Sequence, residues 1–268
     1  MPLVEPGDAA PQAVADLGAA ITGAYPAVTI TGSVRAAGGT KSFGARRLAE
    51  RRLSQIPKMQ ALLIRKTFPE LERTHIRALR REAPELGWTW IESRKELSLP
   101  NGSILECGHL EDEAAVQKYL SAEYDLIIVD EAVQIEPDFL MELMSRARTS
   151  NEAVKAAGGA EVWLLTNPGG PSHGLLKDLF IDHSPDVERY PAMARSYKPE
   201  QWVYVPAKLD DNPYLDPDYE HLSLTGLRKT RYEQLRHGDW DAAEGQFFEE
   251  FSSRTHVRTC ELSDRAGV

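Results

Sequence analysis

YDLIIVDEA, residues 124–132, is the stretch on which the reading of this chain turns. Four consecutive aliphatics, Leu126 to Val129, carry no polar alternation. A short run of that kind suits a strand buried on both faces, as in a parallel sheet covered by helices. It ends in two acids, Asp130 and Glu131. The C-terminal end of such a strand is where open α/β sheets bind their ligands. Downstream, PDFLMELMSRART (137–149) has the spacing of an amphipathic helix, and AEVWLLTNPGG (160–170) predicts another strand running into a Pro-Gly turn. Upstream lies helical spacing near 114–120. Before it, TWIESRKELSLPNGSILECG (89–108) carries two β segments around Pro100-Asn101-Gly102, a hairpin signal.

The alternation continues toward the N-terminus. ALLIRKTF (61–68) predicts a buried strand, and PELERTHIRALRREAP (69–84) a helix with Pro69 near its first turn. AVTITGSV (27–34) is β-rich and runs into a turn at Gly38-Gly39, followed by the helical pattern KSFGARRLAERRLSQI (41–56). Strands alternating with helices predict parallel β-α-β units with helices on both faces of one sheet. From Tyr197 onward the pattern loosens into a polar, helix-containing segment at 216–238.

Composition sets bounds but decides little. The 268 residues suffice for one large α/β domain with an appendage, and 42% hydrophobic with 27% charged residues is ordinary for a globular chain. No apolar run reaches the roughly 18 residues of a membrane span. The Ala/Pro/Gly-rich start, 1–25, predicts an arm and has no secretion-signal pattern. Cys107 and Cys260 are spaced for neither a zinc site nor a disulfide framework, which favours a reducing compartment. A formal charge of −10 argues against coating nucleic acid with the whole surface, but a local basic strip is compatible with it.

Three motifs carry chemistry. RAAGGTKS (35–42) lies between a predicted strand and a predicted helix, the setting of a phosphate-binding loop. There backbone N–H groups at Gly38, Gly39 and Thr40 would close on phosphates, Lys41 would reach the β/γ oxygens, and Ser42 would hold Mg²⁺. The pattern G-x-x-x-x-G-K-[ST] asks for glycine at 35 and 40, where this chain has Arg35 and Thr40; the alternative is a glycine-rich turn with a surface lysine. At the second motif, Asp130 would hold the metal shell and Glu131 would orient or deprotonate water. The alternative there is a buried strand whose acids open a solvated loop. In VWLLTNPGG (162–170), Thr166 and Asn167 could sense a γ-phosphate, or could be ordinary turn chemistry. The order of the three is that of a nucleotide-driven motor.

At this point the chain resembles the large terminase subunit of tailed phages, in its ATPase half. The resemblance runs from about residue 31 to 251. Beyond the short motifs it includes ALLIRKTFPELERTHIRALRREAPELG, LPNGSILECGHLEDEAAVQKYLSAEYDLIIVDEAVQIEPDFLMELMSRART and VPAKLDDNPYLDPDYEHLSLTGLRKTRYEQLRHGDWDAAEGQFFEEF. It implies an additional-strand, RecA-like P-loop NTPase core at 26–195: α/β, with a mostly parallel sheet flanked by helices. A small helical lid at 196–246 and a linker at 247–268 would follow. It also implies hydrolysis of ATP with Mg²⁺, translocation of double-stranded DNA, and partners in a portal protein and a small terminase subunit. The assembly would be a homo-oligomeric ring at the procapsid portal, in the cytoplasm of an infected bacterial host, without a membrane.

The resemblance carries Lys41, Ser42, Asp130, Glu131, Thr166 and Asn167 into the roles above. Arg35 would stabilise transition-state charge from within the loop. Arg146 or Arg148 would serve a neighbouring subunit in trans, against the alternative of a solvated helix face. Gln12 is the candidate for adenine contact. The chain departs from the family at Thr40, and no nuclease activity is expected, since no later acidic cluster follows EGQFFEEFSSRTHVRTCEL. Arg46, Arg47, Arg51, Arg52, Arg73, Arg77, Arg80 and Arg81 could track phosphates, but neighbouring glutamates favour salt bridging. Two other functions stay open on the sequence: a non-catalytic terminase remnant or assembly subunit, and a helicase-like nucleic-acid-dependent ATPase.

Overall fold

The computed structural model describes residues 28–30, 40–205 and 218–242. The predicted arm, Gln12, Arg35, Gly38, Gly39 and the predicted linker lie outside the described residues.

The strands are β1 (Val28–Ile30), β2 (Gln60–Arg65), β3 (Thr89–Ile91), β4 (Glu96–Ser98), β5 (Ile104–His109), β6 (Leu126–Asp130), β7 (Glu161–Leu165) and β8 (Trp202–Tyr204). They form one sheet in the order β3-β4-β5-β2-β6-β7-β1-β8. All neighbours from β5 to β8 pair in parallel, while β4 runs antiparallel to both β3 and β5.

The aliphatic run of β6 explains the layering. Ile127 and Val129 enter one core with Leu62, Ile64, Val162 and Leu164; Leu126 and Ile128 enter the other with Ala61, Leu63, Trp163 and Leu165. Each face is closed by helices. On the first lie α4 (Glu113–Tyr119), α5 (Pro137–Met144) and α7 (His173–Phe180), through Val116, Leu140, Leu143, Leu176 and Phe180. On the second lie α1 (Thr40–Gln55), α2 (Phe68–Leu71), α3 (Arg77–Glu82) and α6 (Glu152–Ala156), through Leu48, Leu53, Leu71, Leu79 and Val154. Each fully buried aliphatic here contributes about 1.5–3 kcal/mol of transfer free energy. Trp163 is buried with its indole N–H donating to Glu161 Oε2 at 3.1 Å, so no polar atom is stranded with the ring.

Three features depart from the sequence expectations. The stretch 89–108 holds three strands, because Lys95 takes a left-handed backbone (φ 52°) and folds β3 back on β4 ahead of the expected hairpin. The helix expected over 69–84 is interrupted by a π-helical turn, Glu72–Ile76, between α2 and α3. Finally, β8 falls in the segment assigned to a lid from 196 onward, yet it pairs with β1 and extends the core sheet. Three residues are too few to show periodicity, and the aromatic contact of Trp202 with Phe180 that accompanies the pairing is long-range.

Beyond β8, α9 (Tyr219–Ser223) and α10 (Lys229–Arg236) share a small cluster of Leu224 and Leu235 with Tyr219 and Tyr232. α8 (Met193–Ser196) precedes β8 and buries Met193 in the first core.

Candidate functional site

Parallel neighbours end at the same rim, so β6 and β7 deliver Asp130, Glu131, Thr166 and Asn167 side by side. α1 begins at that rim, with Thr40, Lys41 and Ser42 in its first turn. Ser42 Oγ donates to Asp130 Oδ2 at 2.8 Å. Lys41 Nζ donates to Asn167 Oδ1 at 2.6 Å and lies 3.9 Å from Glu131 Oε1. Residues 88 and 126 positions apart in sequence are thus in side-chain contact.

Electrostatics follows from burial. Burial pushes the Lys41 ammonium below its ordinary pKa, opposed by the charges of Glu131 and Asp130. For Asp130 burial acts upward, but the hydrogen bond from His75, the nearby Arg65 guanidinium and the Ser42 hydroxyl outweigh it and hold the carboxyl low. Burial pushes the His75 imidazole below its ordinary pKa, opposed by its hydrogen bond to Asp130 and by the Asp130 charge. Glu131 sits just past β6 in the left-handed region (φ 57°, ψ 46°), costly for a residue with a Cβ. That turn leaves Asp130 buried while its neighbour remains partly open toward Lys41.

Thr166 Oγ1 accepts from the Val133 N–H at 3.1 Å and donates to the Asn167 carbonyl at 3.0 Å. The end of β7 is thereby tied to the 3₁₀ turn Ala132–Gln134 that follows Glu131. The next turn, 168–170, is gripped from α10: Arg231 Nη1 donates to the Pro168 carbonyl at 3.0 Å.

The structure brings Lys41, Ser42, Asp130, Glu131, Thr166 and Asn167 together, with Thr40 opening the helix. Arg146 and Arg148 are elsewhere. Both flank the bridge between Tyr124 and Ala147, before the start of β6 and hence at the opposite rim. Arg146 Nη1 donates to the Leu120 carbonyl at 2.8 Å, and Arg148 lies 3.6 Å from Glu123. In the basic helices, Arg47 pairs with Glu50 and Glu82 and Arg80 with Glu72 and Glu92, the salt bridging the sequence favoured, whereas Arg52 pairs with Glu161 on β7 and Arg46 donates to the Thr74 carbonyl.

Sequence reasoning missed three side chains here. His75 lies fully buried, its Nε2 2.9 Å from Asp130 Oδ2. Arg65 Nε lies 3.7 Å from the same oxygen, and Arg231 arrives from α10. Arg65 was findable, since it ends a predicted parallel strand at the ligand-binding rim. His75 and Arg231 sit in helical patterns where nothing sets them apart.

A divalent cation fits these residues. Asp130 Oδ1 is buried without a hydrogen-bond partner, beside the Ser42 hydroxyl. Among the described residues no cluster of three or more His, Cys, Asp or Glu could hold a metal by itself. One carboxylate and one hydroxyl, completed by phosphate oxygens and water, is the habit of Mg²⁺ rather than of a protein-caged ion. No helix among the described residues is long and apolar enough to cross a membrane.

Residues 36–255 match the family model of the terminase large subunit, T4likevirus-type, N-terminal. No curated protein matches the chain. Among solved structures, the large terminase of a thermophilic bacteriophage in complex with ADP is similar at TM-score 0.57 and 19% identity, over 85% of this chain and 49% of that one. The same protein with ATP-gamma-S gives 0.55 and 17%, over 85% and 48%. The Thermus phage P74-26 large terminase ATPase domain gives 0.53 and 14%, over 89% of this chain and 100% of that one. The chain therefore spans about half the length of the nucleotide-bound thermophilic phage protein. The shared fold is a mostly parallel sheet flanked by helices.

Proposed function

We infer a nucleotide-driven motor from one premise: this chain belongs to the T4-like large terminase family, matching its N-terminal part. The reading is that it hydrolyses ATP and couples the hydrolysis to movement of double-stranded DNA. The observation that carries it is the convergence of Ser42 on Asp130 at 2.8 Å with Lys41 held between Asn167 and Glu131, at the C-terminal rim of a parallel sheet.

In this reading Lys41 neutralises the β- and γ-phosphate oxygens from the first turn of α1, where backbone N–H groups also favour anions. Ser42 and Asp130 would hold Mg²⁺, which supplies further charge neutralisation across those phosphates. Glu131 aligns a water on the γ-phosphorus and takes its proton as the new P–O bond forms and the bond to the β–γ bridging oxygen breaks. ADP and phosphate leave.

Thr166 and Asn167 couple this chemistry to motion. Phosphate arriving at Lys41 competes with Asn167 for the ammonium. Release of Asn167 reaches the 168–170 turn and, through Pro168, Arg231 on α10. Residues beyond β8 act as the lid, and a portal protein and a small terminase subunit are the assembly partners of a ring acting in the infected host's cytoplasm. The thermophilic phage terminase complexes with ADP and ATP-gamma-S support the nucleotide class, as the family supports the packaging role.

The test is binding of a fluorescent ATP analogue to the folded chain with Mg²⁺ or with EDTA, followed by phosphate release with and without duplex DNA. Mg²⁺-dependent binding and DNA-stimulated release are expected. A well-folded sample that binds no nucleotide would sink the reading.

A further inference from the structure

His75 has no part in the reaction as derived so far, yet its ring is fully buried against the carboxylate that reaction uses. Its Nε2 lies 2.9 Å from Asp130 Oδ2. An ionised carboxylate only accepts, so the imidazole must carry its proton on Nε2. The Ser42 hydroxyl donates to the same oxygen. Both donors thus fall on Oδ2, and Oδ1 is left buried with no protein partner.

The backbone beneath His75 is built for this contact. In the π turn Glu72–Ile76 the Arg77 N–H bonds to the Glu72 carbonyl, five residues back. Such turns are rare interruptions of a helix and recur at functional sites. This one is clamped on both sides. Arg46 Nη1 from α1 donates to the Thr74 carbonyl at 3.0 Å, and Arg65 from the end of β2 donates to the Thr74 hydroxyl. The helix carrying Lys41 and the strand beside β6 therefore both fix the residue next to His75.

We propose that His75 is a positioning residue for Asp130: its Nε2–H pins Oδ2 and presents Oδ1 to the divalent cation of the nucleotide complex. The proposal rests on the ATP-hydrolysing reading. Donors behind a ligating group typically set metal affinity by 10–100-fold, roughly.

The experiment measures binding of a fluorescent ADP analogue across a Mg²⁺ titration and again in EDTA. His75→Phe keeps a ring but removes the donor. The half-saturating Mg²⁺ concentration is expected to rise at least about 10-fold, while affinity in EDTA stays within about twofold. His75→Gln places an amide N–H near the Nε2 position and should bring the Mg²⁺ requirement back close to wild type. An unchanged Mg²⁺ requirement in folded His75→Phe overturns the proposal, as does equal weakening with and without metal, the signature of a merely structural role. If His75→Phe does not fold, His75→Asn, whose amide falls short of Asp130, must show the same rise against His75→Gln, and no rise overturns the proposal. Wild-type protein that binds nucleotide without regard to Mg²⁺ would overturn the metal role of Asp130 and His75 together. Wild-type protein that binds no nucleotide would overturn the ATPase reading first.

Discussion

Lys41 and Asn167 share a hydrogen bond of 2.6 Å between a helix start and a strand end 126 residues apart. The ammonium has been drawn out of water to make it and is counterbalanced by Glu131 at 3.9 Å. A buried cation with only partial compensation gains strongly from an incoming polyanion.

Lys41→Ala removes that cation. Hydrogen bonds to charged groups contribute about 1.5–3 kcal/mol, so nucleotide affinity should weaken roughly 10–150-fold. Titration with a fluorescent ATP analogue reads the change. An affinity equal to wild type would separate Lys41 from the ligand.

Glu131→Gln keeps the size of the side chain and its place past β6 but removes the base. ATP affinity should stay within a fewfold, while hydrolysis falls by about 10²–10⁴. Single-turnover phosphate release checks it, and undiminished turnover would assign the base elsewhere.

Two glycine substitutions near Asn167 should have opposite effects. A Cβ on Gly170 (φ 148°) would lie 2.6 Å from the Val133 carbonyl oxygen, a backbone atom that cannot step aside. Gly174, on α7, has nothing within 4 Å. Gly170→Ala should lose more than about 1 kcal/mol of unfolding free energy, while Gly174→Ala gains up to about 1 kcal/mol from helix propensity. Urea denaturation measures both. Equal effects would mean that the turn yields.

His173 gives stability a pH dependence. Its Nδ1 accepts from the Gly169 N–H at 3.0 Å and its Nε2 faces the Trp240 carbonyl at 3.0 Å, an arrangement only the neutral ring can make. Burial lowers its pKa against the opposing hydrogen bond to the Trp240 carbonyl, with Lys177 pushing down and Asp178 and Asp241 pushing up. Below pH about 6.5 the unfolded chain takes a proton that folded His173 refuses. Stability should therefore fall as pH drops from about 6.5 toward the lowered folded pKa. Melting temperatures of His173→Gln should decline less over that window; parallel profiles would remove His173 from the effect.

Much of the fold was legible because it is written in local patterns. The apolar runs at residues 61–64, 126–129 and 162–165 do not alternate, since both faces of their strands are buried, and with the helical patterns between them they point to a parallel, helix-covered sheet. The rim and its acids followed, because the end of such a strand is a position in sequence as well as in space. Asp130, Glu131, Thr166 and Asn167 could be named from it, and Lys41 and Ser42 from the glycine-rich stretch that runs into α1.

Only the tertiary structure decided the rest. β8 is three residues long and gains its identity from β1, and β3 from the left-handed Lys95. Arg146 and Arg148 lie at the far rim because α5 has ended at Met144 and the chain there flanks the Tyr124–Ala147 bridge, before the start of β6. His75 reaches Asp130 through a π turn, a matter of backbone register that no side-chain pattern records. Periodicity reports which face a residue turns toward the core. It does not report which residue across that core it meets, because such contacts depend on how far each element has been shifted and rotated when packed.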